Sequence, residues 1–296
     1  MVERPFKSTA NRLPWCRDQI VGCLVGGALG DLYGGIAERG TAGLSDDTQL
    51  TLATCEAMSD GQVSPERIAQ AMLRWFLAGE VTGLGSATLK ALRDLSAGAH
   101  WAMCGARGEM AAGNGAAMRI APLAFVLNPL DPAARVTIRD VARITHHSDE
   151  AYLGALAVLL AIHFPGWPPG ESFFGDIAQQ LPDCRVRDRL REMGNVPLDS
   201  PVSEVTKRFG AGGYVVESVP LALWFACRMR ADGLQAAYEE FATLEGDADT
   251  IGSIAGQIAG AHLGRNALPD TMALAPSIAG AEKLASQFAA ELNQSS

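Results

Sequence analysis

The sequence predicts an all-α fold, on three observations. Strand-period alternation never lasts more than a few residues. Apolar runs of helical spacing recur along the chain, punctuated by Pro, Gly and Asp-Gly stop signals. The 296 residues are 48% hydrophobic but only 6% aromatic, with 32 glycines, so small residues let helices approach closely. Nothing like a long linker or low-complexity segment divides the chain. A single domain over 1–296 is expected, with 1–15 as an N-terminal arm and 290–296 as a C-terminal tail.

Gln19 to Gly30 is apolar and glycine-rich and suits a buried first helix, followed by a Gly-rich connector from Asp31 to Leu44 that contains Glu38. Thr48 to Ser59 carries Leu50, Leu52, Ala53, Ala57 and Met58 and stops at Asp60-Gly61. Pro65 to Leu77 starts with the proline that a first helical turn tolerates, and Ala87 to Leu95 is a short helix. Gly105 to Arg119 reads as a loop running into apolar Ile120 to Leu127. Asp131-Pro132 opens a helix reaching Ile144, and Asp149 to Phe164 is the most apolar helix. After a Pro/Gly-rich break at Pro165 to Gly170, Phe173 to Leu190 is helical with an interruption at Pro182, and Glu192 to Gly213 is a polar excursion. Val215 to Arg230, Leu234 to Leu244 and Thr250 to Leu263 complete the set. Gly252, Gly256, Gly260 and Gly264 recur every fourth residue and lay a bare stripe on one helix face, where a neighbouring helix can pack very close. Membrane dimerisation is the competing use of such a stripe, but this segment is short and flanked by charge.

The formal charge is −9 with no dense Lys/Arg run, which argues against nucleic acid as a general partner. Cys16, Cys23, Cys55, Cys104, Cys184 and Cys227 form no Cys-x-x-Cys pair, and free thiols in a reducing, cytoplasmic compartment are expected. Met1 to Pro14 lacks the apolar core of a signal peptide. The longest apolar stretch, Ala151 to Phe164, is too short to span a bilayer, so no membrane association is expected.

Two clusters point to chemistry. Ser45-Asp46-Asp47-Thr48 and Asp247-Ala248-Asp249-Thr250 each put two carboxylates and nearby hydroxyls at the start of a helical run. Four carboxylates brought together repel unless cations sit between them, and hard divalent cations take oxygen ligands of this kind. Each cluster is alternatively a plain helix cap; two such clusters favour a two-metal, all-oxygen site. Gly113-Asn114-Gly115-Ala116-Ala117-Met118-Arg119 is a loop whose backbone N–H groups can hold phosphate, or else a simple turn. Thr145-His146-His147-Ser148-Asp149 offers helix caps at Ser148 or Asp149 and a site residue at His146 or His147. Arg208 to Tyr214 is a glycine-rich loop with an aromatic that can close over a base or sugar.

Taken in order, these stretches resemble the ADP-ribosylglycohydrolase family. The resemblance runs from Asp18 to Leu263: Gly22 to Asp31 with Gly34 and Glu38, Ser45 to Thr48, Gly113 to Arg119, Thr145-His146, Gly213-Tyr214-Val215 and Gly246 to Gly252. It implies a central cleft holding two divalent cations, Mg²⁺ or Mn²⁺, with Ser45, Asp46, Asp47, Asp247, Asp249 and Thr250 as ligands. It further implies Glu38 at the cleft mouth near the attacking water, Gly113, Asn114, Gly115 and Ala116 along the phosphate and ribose, Tyr214 near the adenosine half, and His146 near the distal part. Glu38, Asp46, Asp247 and Asp249 are the candidate catalytic carboxylates.

The activity implied is hydrolysis of the N- or O-glycosidic bond joining ADP-ribose to an amino-acid side chain of a protein, or to a small conjugate. The alternative is a catalytically silent ADP-ribose-binding or structural member. Val81 to Gly85 lacks the acidic residue expected where arginine is released, and Val186 to Gly213 matches no part of the pattern. A prenyl-diphosphate synthase would need an acid where Leu50 stands, and a His-Asp phosphohydrolase is disfavoured because Ser148 separates His147 from Asp149.

Overall fold

The computed structural model describes residues 15–40, 43–166, 172–231, 233–269 and 276–295. Thirteen α-helices are found among them: α1 (Arg17–Arg39), α2 (Asp46–Ala57), α3 (Pro65–Leu77), α4 (Ser86–Ser96), α5 (Pro132–Arg143), α6 (Asp149–Ile162), α7 (Phe173–Gln179), α8 (Arg185–Met193), α9 (Val202–Phe209), α10 (Val215–Ala231), α11 (Leu234–Phe241), α12 (Ala248–Leu263) and α13 (Pro276–Ser295). A two-residue parallel pair, β1 (Ala106–Arg107) with β2 (His146–His147), is the sheet present among the described residues. The all-α expectation is met.

The centre of the molecule is the packing of α1 on α12. Both helices carry glycine every fourth residue on the shared face. A Cβ on Gly22 would lie 2.5 Å from the carbonyl oxygen of Gly260. Those on Gly26 and Gly30 would overlap the carbonyl oxygens of Gly256 and Gly252, and one on Gly34 would overlap the Ala248–Asp249 backbone. The two backbones therefore touch, which side chains at these positions would prevent. The expected close-packing stripe is real, and its partner is a second stripe on α1. Helix α12 also packs on α10 and α6. Helix α1 meets a length and apolarity test for crossing a membrane, with mean hydropathy 1.5, yet 83% of that window is buried inside the protein.

Several boundaries differ from expectation. Helix α1 does not stop at Gly30. It runs to Arg39 and ends at Gly40, whose φ of 65° is left-handed, so the connector expected over 31–44 is helical for most of its described length. Gly34 is helical because α12 starts directly against it. The polar excursion at 192–213 contains α9. Helix α13 lies beyond the last helix expected: Ile278, Ala281, Ala285, Phe288, Ala289 and Leu292 are buried at helical spacing, and the helix packs on α1 and α2. Residues 290–295, expected as a tail, continue that helix. Of the expected N-terminal arm, residues 1–14 lie outside the described residues; Trp15 is buried and meets Phe125 edge-on at 5.3 Å between ring centroids.

Candidate functional site

Three helix segments converge: the C-terminal half of α1 and the N-termini of α2 and α12. Asp31 stands on the apolar α1 and is fully buried. Its carboxylate accepts from Ser45 N at 2.9 Å, Ser45 Oγ at 2.8 Å, Thr48 N at 3.2 Å and Thr48 Oγ1 at 2.6 Å. It is thus an anionic clamp on the free N–H groups that open α2. Ser45, the N-cap, accepts from Asp47 N at 3.3 Å, and its Oγ also lies 3.0 Å from Asp47 Oδ2. Ser45 has one hydroxyl proton for two carboxylates, Asp31 and Asp47, so one of those close O···O contacts requires another positive partner.

The start of α12 is held differently. Asp247 N donates to Ala211 O at 2.7 Å, and the Asp247 carboxylate accepts from Asn114 Nδ2 at 2.5 Å. Asp249 N donates to Glu38 Oε1 at 3.2 Å, and Thr250 Oγ1 donates to Asp47 Oδ2 at 3.2 Å. The two Asp clusters are therefore joined across the α1–α12 seam.

Two carboxylate trios result. Asp31, Asp47 and Asp249 each offer an oxygen within 4.8 Å of the others, as do Glu38, Asp247 and Asp249. Asp249 belongs to both. Asp47 Oδ1 is buried with no hydrogen-bond partner among the described residues. An orphaned carboxylate oxygen facing an all-oxygen donor set fits a hard divalent cation. The electrostatics agree. Burial, followed by the charge of Asp249, pushes the Glu38 carboxyl up to about 7 and Asp46 up to about 8, and raises Asp47 well above the usual carboxylate range. Burial raises Asp31 as well, against the pull of its Thr48 and Ser45 hydrogen bonds. Asp247 is pushed up to about 6 by burial, opposed by its hydrogen bond from Asn114. Without a cation the cluster gathers protons instead.

These groups line one wall of a pocket of about 260 Å³, which Glu38, Asp46, Asp47, Asp247, Asp249 and Thr250 share with Gly113, Asn114, Gly115 and His146. Asp46 faces this pocket but belongs to neither trio. The glycine loop is fixed at the pocket by Asn114 N donating to Gly213 O at 3.0 Å and by an antiparallel bridge between Gly113 and Tyr214. Two expected residues lie elsewhere. Ala116 is wholly buried, because the chain turns inward there through Ala117 N and Met118 N donating to Asn114 O. The Tyr214 ring lies in an adjoining pocket of about 390 Å³ with Glu109, His147 and Arg185, and its hydroxyl accepts from Arg185 at 3.1 Å. A larger cavity of about 760 Å³, lined by Val202, Lys207, Glu240 and Gly246 among others, includes none of the trio carboxylates in its lining.

Reading the sequence missed Asp31 and Thr48 as structural partners of the first cluster. Asp31 carried a signal, a lone charge within an apolar glycine-rich run. It also missed Arg119, Thr145 and Thr88, which support or line the His146 side. Their signal was weak, since a buried arginine cannot be told from an exposed one by spacing.

The ADP-ribosylglycohydrolase sequence profile matches residues 13–295. The chain belongs to the ADP-ribosylglycohydrolase family. Among its relatives in that family, ADP-ribosylarginine hydrolase Tri1 of Pseudomonas putida (strain GB-1) is 29% identical over 252 residues, 81% of this chain and 64% of Tri1. ADP-ribosylhydrolase ARH3 of Mus musculus is 27% identical over 84% of this chain and 85% of its own. A solved structure described as an ADP-ribosylglycohydrolase-related protein complex superposes with a TM-score of 0.63 at 24% identity, covering 93% of this chain and 98% of that one, a likeness of fold.

Proposed function

We propose that this family member hydrolyses the glycosidic bond between ADP-ribose and an amino-acid side chain, or a small conjugate, and releases ADP-ribose. The observation that carries this reading is the pair of carboxylate trios sharing Asp249, with Asp47 Oδ1 unpartnered, on a pocket that the glycine loop also lines. The names of Tri1 and ARH3, both ADP-ribosyl hydrolases, support it.

In this reading Ser45, Asp46, Asp47, Asp247, Asp249 and Thr250 hold two divalent cations, Mg²⁺ or Mn²⁺. Bound there, such cations supply Lewis-acid charge and lower the pKa of water. Glu38, exposed at the rim beside Asp249, is the candidate proton acceptor. The massed carboxylates supply negative charge where the sugar becomes oxocarbenium-like. Gly113, Asn114 and Gly115 present backbone and amide groups to the diphosphate and ribose. Gly83 and Gly85 also line the pocket, and a Cβ on Gly83 would lie 3.3 Å from Asp46 Oδ1, so a glycine there keeps the space beside that carboxylate open. We place the protein, as a single domain, in a reducing cytoplasm on the strength of its six free thiols.

The test is release of free ADP-ribose from arginine-, serine- and threonine-linked ADP-ribosyl peptides, each with Mg²⁺, Mn²⁺ or EDTA. Metal-dependent release from one peptide is expected and names the linkage. Binding of ADP-ribose without release from any conjugate would contradict hydrolysis.

A further inference from the structure

Behind the pocket lining sits a buried cation. Arg119 is 1% exposed and feels the charge of Asp46, but its hydrogen bonds go to neutral oxygens: Nη1 on Gly115 O, and Nη2 on Thr145 Oγ1 at 2.8 Å and on Val141 O at 3.4 Å. Burying a guanidinium is costly, and these bonds and the Asp46 charge offset part of that cost.

The arrangement decides where the proton of the neighbouring histidine sits. Thr145 Oγ1 lies 2.7 Å from His146 Nδ1. Arginine is a donor only, so Thr145 Oγ1 accepts from Arg119, and among the described residues His146 Nδ1 is the one acceptor within reach of the buried Thr145 hydroxyl proton. Nδ1 is then the acceptor, and the ring proton resides on Nε2. Nε2 faces the pocket between two glycines: a Cβ on Gly113 would lie 3.1 Å from Nε2, and one on Gly115 would lie 2.8 Å from Cε1. It makes no hydrogen bond within the described residues. Burial first, and then the Arg119 charge, lowers the His146 pKa to about 3, so the ring is neutral near pH 7.

We propose that Arg119 and Thr145 are positioning residues that lock His146 as a neutral Nε2–H donor to an acceptor oxygen of the bound ligand. His146 is on this account neither acid nor base. It gives the pocket one fixed N–H facing the carboxylate wall, and Arg119 adds positive charge behind the loop that follows. That the ligand is ADP-ribose rests on the function proposed above; the tautomer does not.

Long-range ¹H–¹⁵N correlation of the five histidines in the full chain tests the tautomer, with His146→Gln identifying the His146 signals. The expected result is an Nε2–H pattern that is unchanged between pH 6 and 8. An Nδ1–H or doubly protonated ring in the unmodified protein overturns the proposal, whatever any variant does. ADP-ribose titration then tests the donor. Thr145→Val should weaken binding about tenfold and mix the tautomers, a tenfold loss corresponding to about 1.4 kcal/mol. Thr145→Ser, which keeps the hydroxyl, should retain both. His146→Gln, which keeps an N–H, should bind more tightly than His146→Ala; equal losses contradict a donor role. If the unmodified protein binds no ADP-ribose, the functional reading fails, and the tautomer measurement still decides this one.

Discussion

Ser45–Thr48 and Asp247–Thr250 look alike in sequence, yet they sit in different surroundings. The first is capped by its own Ser45 and clamped from behind by the buried Asp31 on α1. The second starts at Asp247, whose side chain caps nothing within its helix and is held instead by Asn114 of the glycine loop. Both clusters meet α1, the first through Asp31 and the second through Gly34 and Glu38, but only the second is also tied by its side chain to the glycine loop. Similar residues at two helix starts thus differ in what holds them: a helix clamp for one, and a loop that lines the pocket for the other.

The comparison can be broken most directly at the residue both trios share. Asp249→Asn should lower turnover by at least about a hundredfold, above the loss typical of a residue merely supporting a ligand. Initial rates on the conjugate identified by the release assay check this, and near-normal rates would remove the shared-carboxylate account. Next in size is Asp31→Asn. It loosens the first cluster alone and should weaken cation binding about ten- to a hundredfold, as read by calorimetric titration with Mn²⁺, while ADP-ribose contacts on the glycine loop are unaffected. Glu38→Gln, at the second cluster, should slow the chemical step about tenfold or more, within the range of general-base losses. ADP-ribose affinity should change little. Collapse of affinity with the rate preserved would make Glu38 a binding residue.

The smallest effect is on stability without cations. Asp247, Glu38 and Asp46 have pKa values raised to about 6, 7 and 8, so the folded chain binds protons more tightly than the unfolded one. Their contribution is full below the ordinary carboxylate range and is lost as pH rises through those three values. In EDTA, Tm should therefore fall between pH 5 and pH 8.5, and the second cluster should give way before the first. Mn²⁺ should restore Tm most at the alkaline end, because cations replace protons there. A Tm in EDTA that rises over this range would contradict the electrostatics described.

Much of this was legible before any coordinates. Helix α3 runs over Pro65–Leu77, the span its proline start and apolar spacing predict. The glycine stripe of α12 announced a close neighbour, although only the fold shows that the neighbour is α1. The carboxylate clusters were readable because the same paired-carboxylate pattern stands at two helix starts, which a plain cap does not need. What stayed hidden depends on three-dimensional partners. Asp31 and Glu38 appeared to lie in a loop because glycines 30, 34 and 35 suggest a break, whereas tight packing on α12 keeps them helical. The resemblance places Tyr214 near the adenosine half; in the fold it lines the pocket adjoining the carboxylates, beside the Gly113–Tyr214 bridge. Helix α13 was missed because half of its buried face is alanine, which lowers the hydrophobic contrast to read.

The central claim is that the two Asp clusters, joined at Asp249, form one two-cation centre. Calorimetric titration of Mn²⁺ into the full chain at pH 7.5, with and without Asp249→Asn, tests it most directly. The account predicts two Mn²⁺ per chain in the unmodified protein and loss of tight binding at both positions in the variant. One ion or none in the unmodified protein, or two retained in Asp249→Asn, would contradict it.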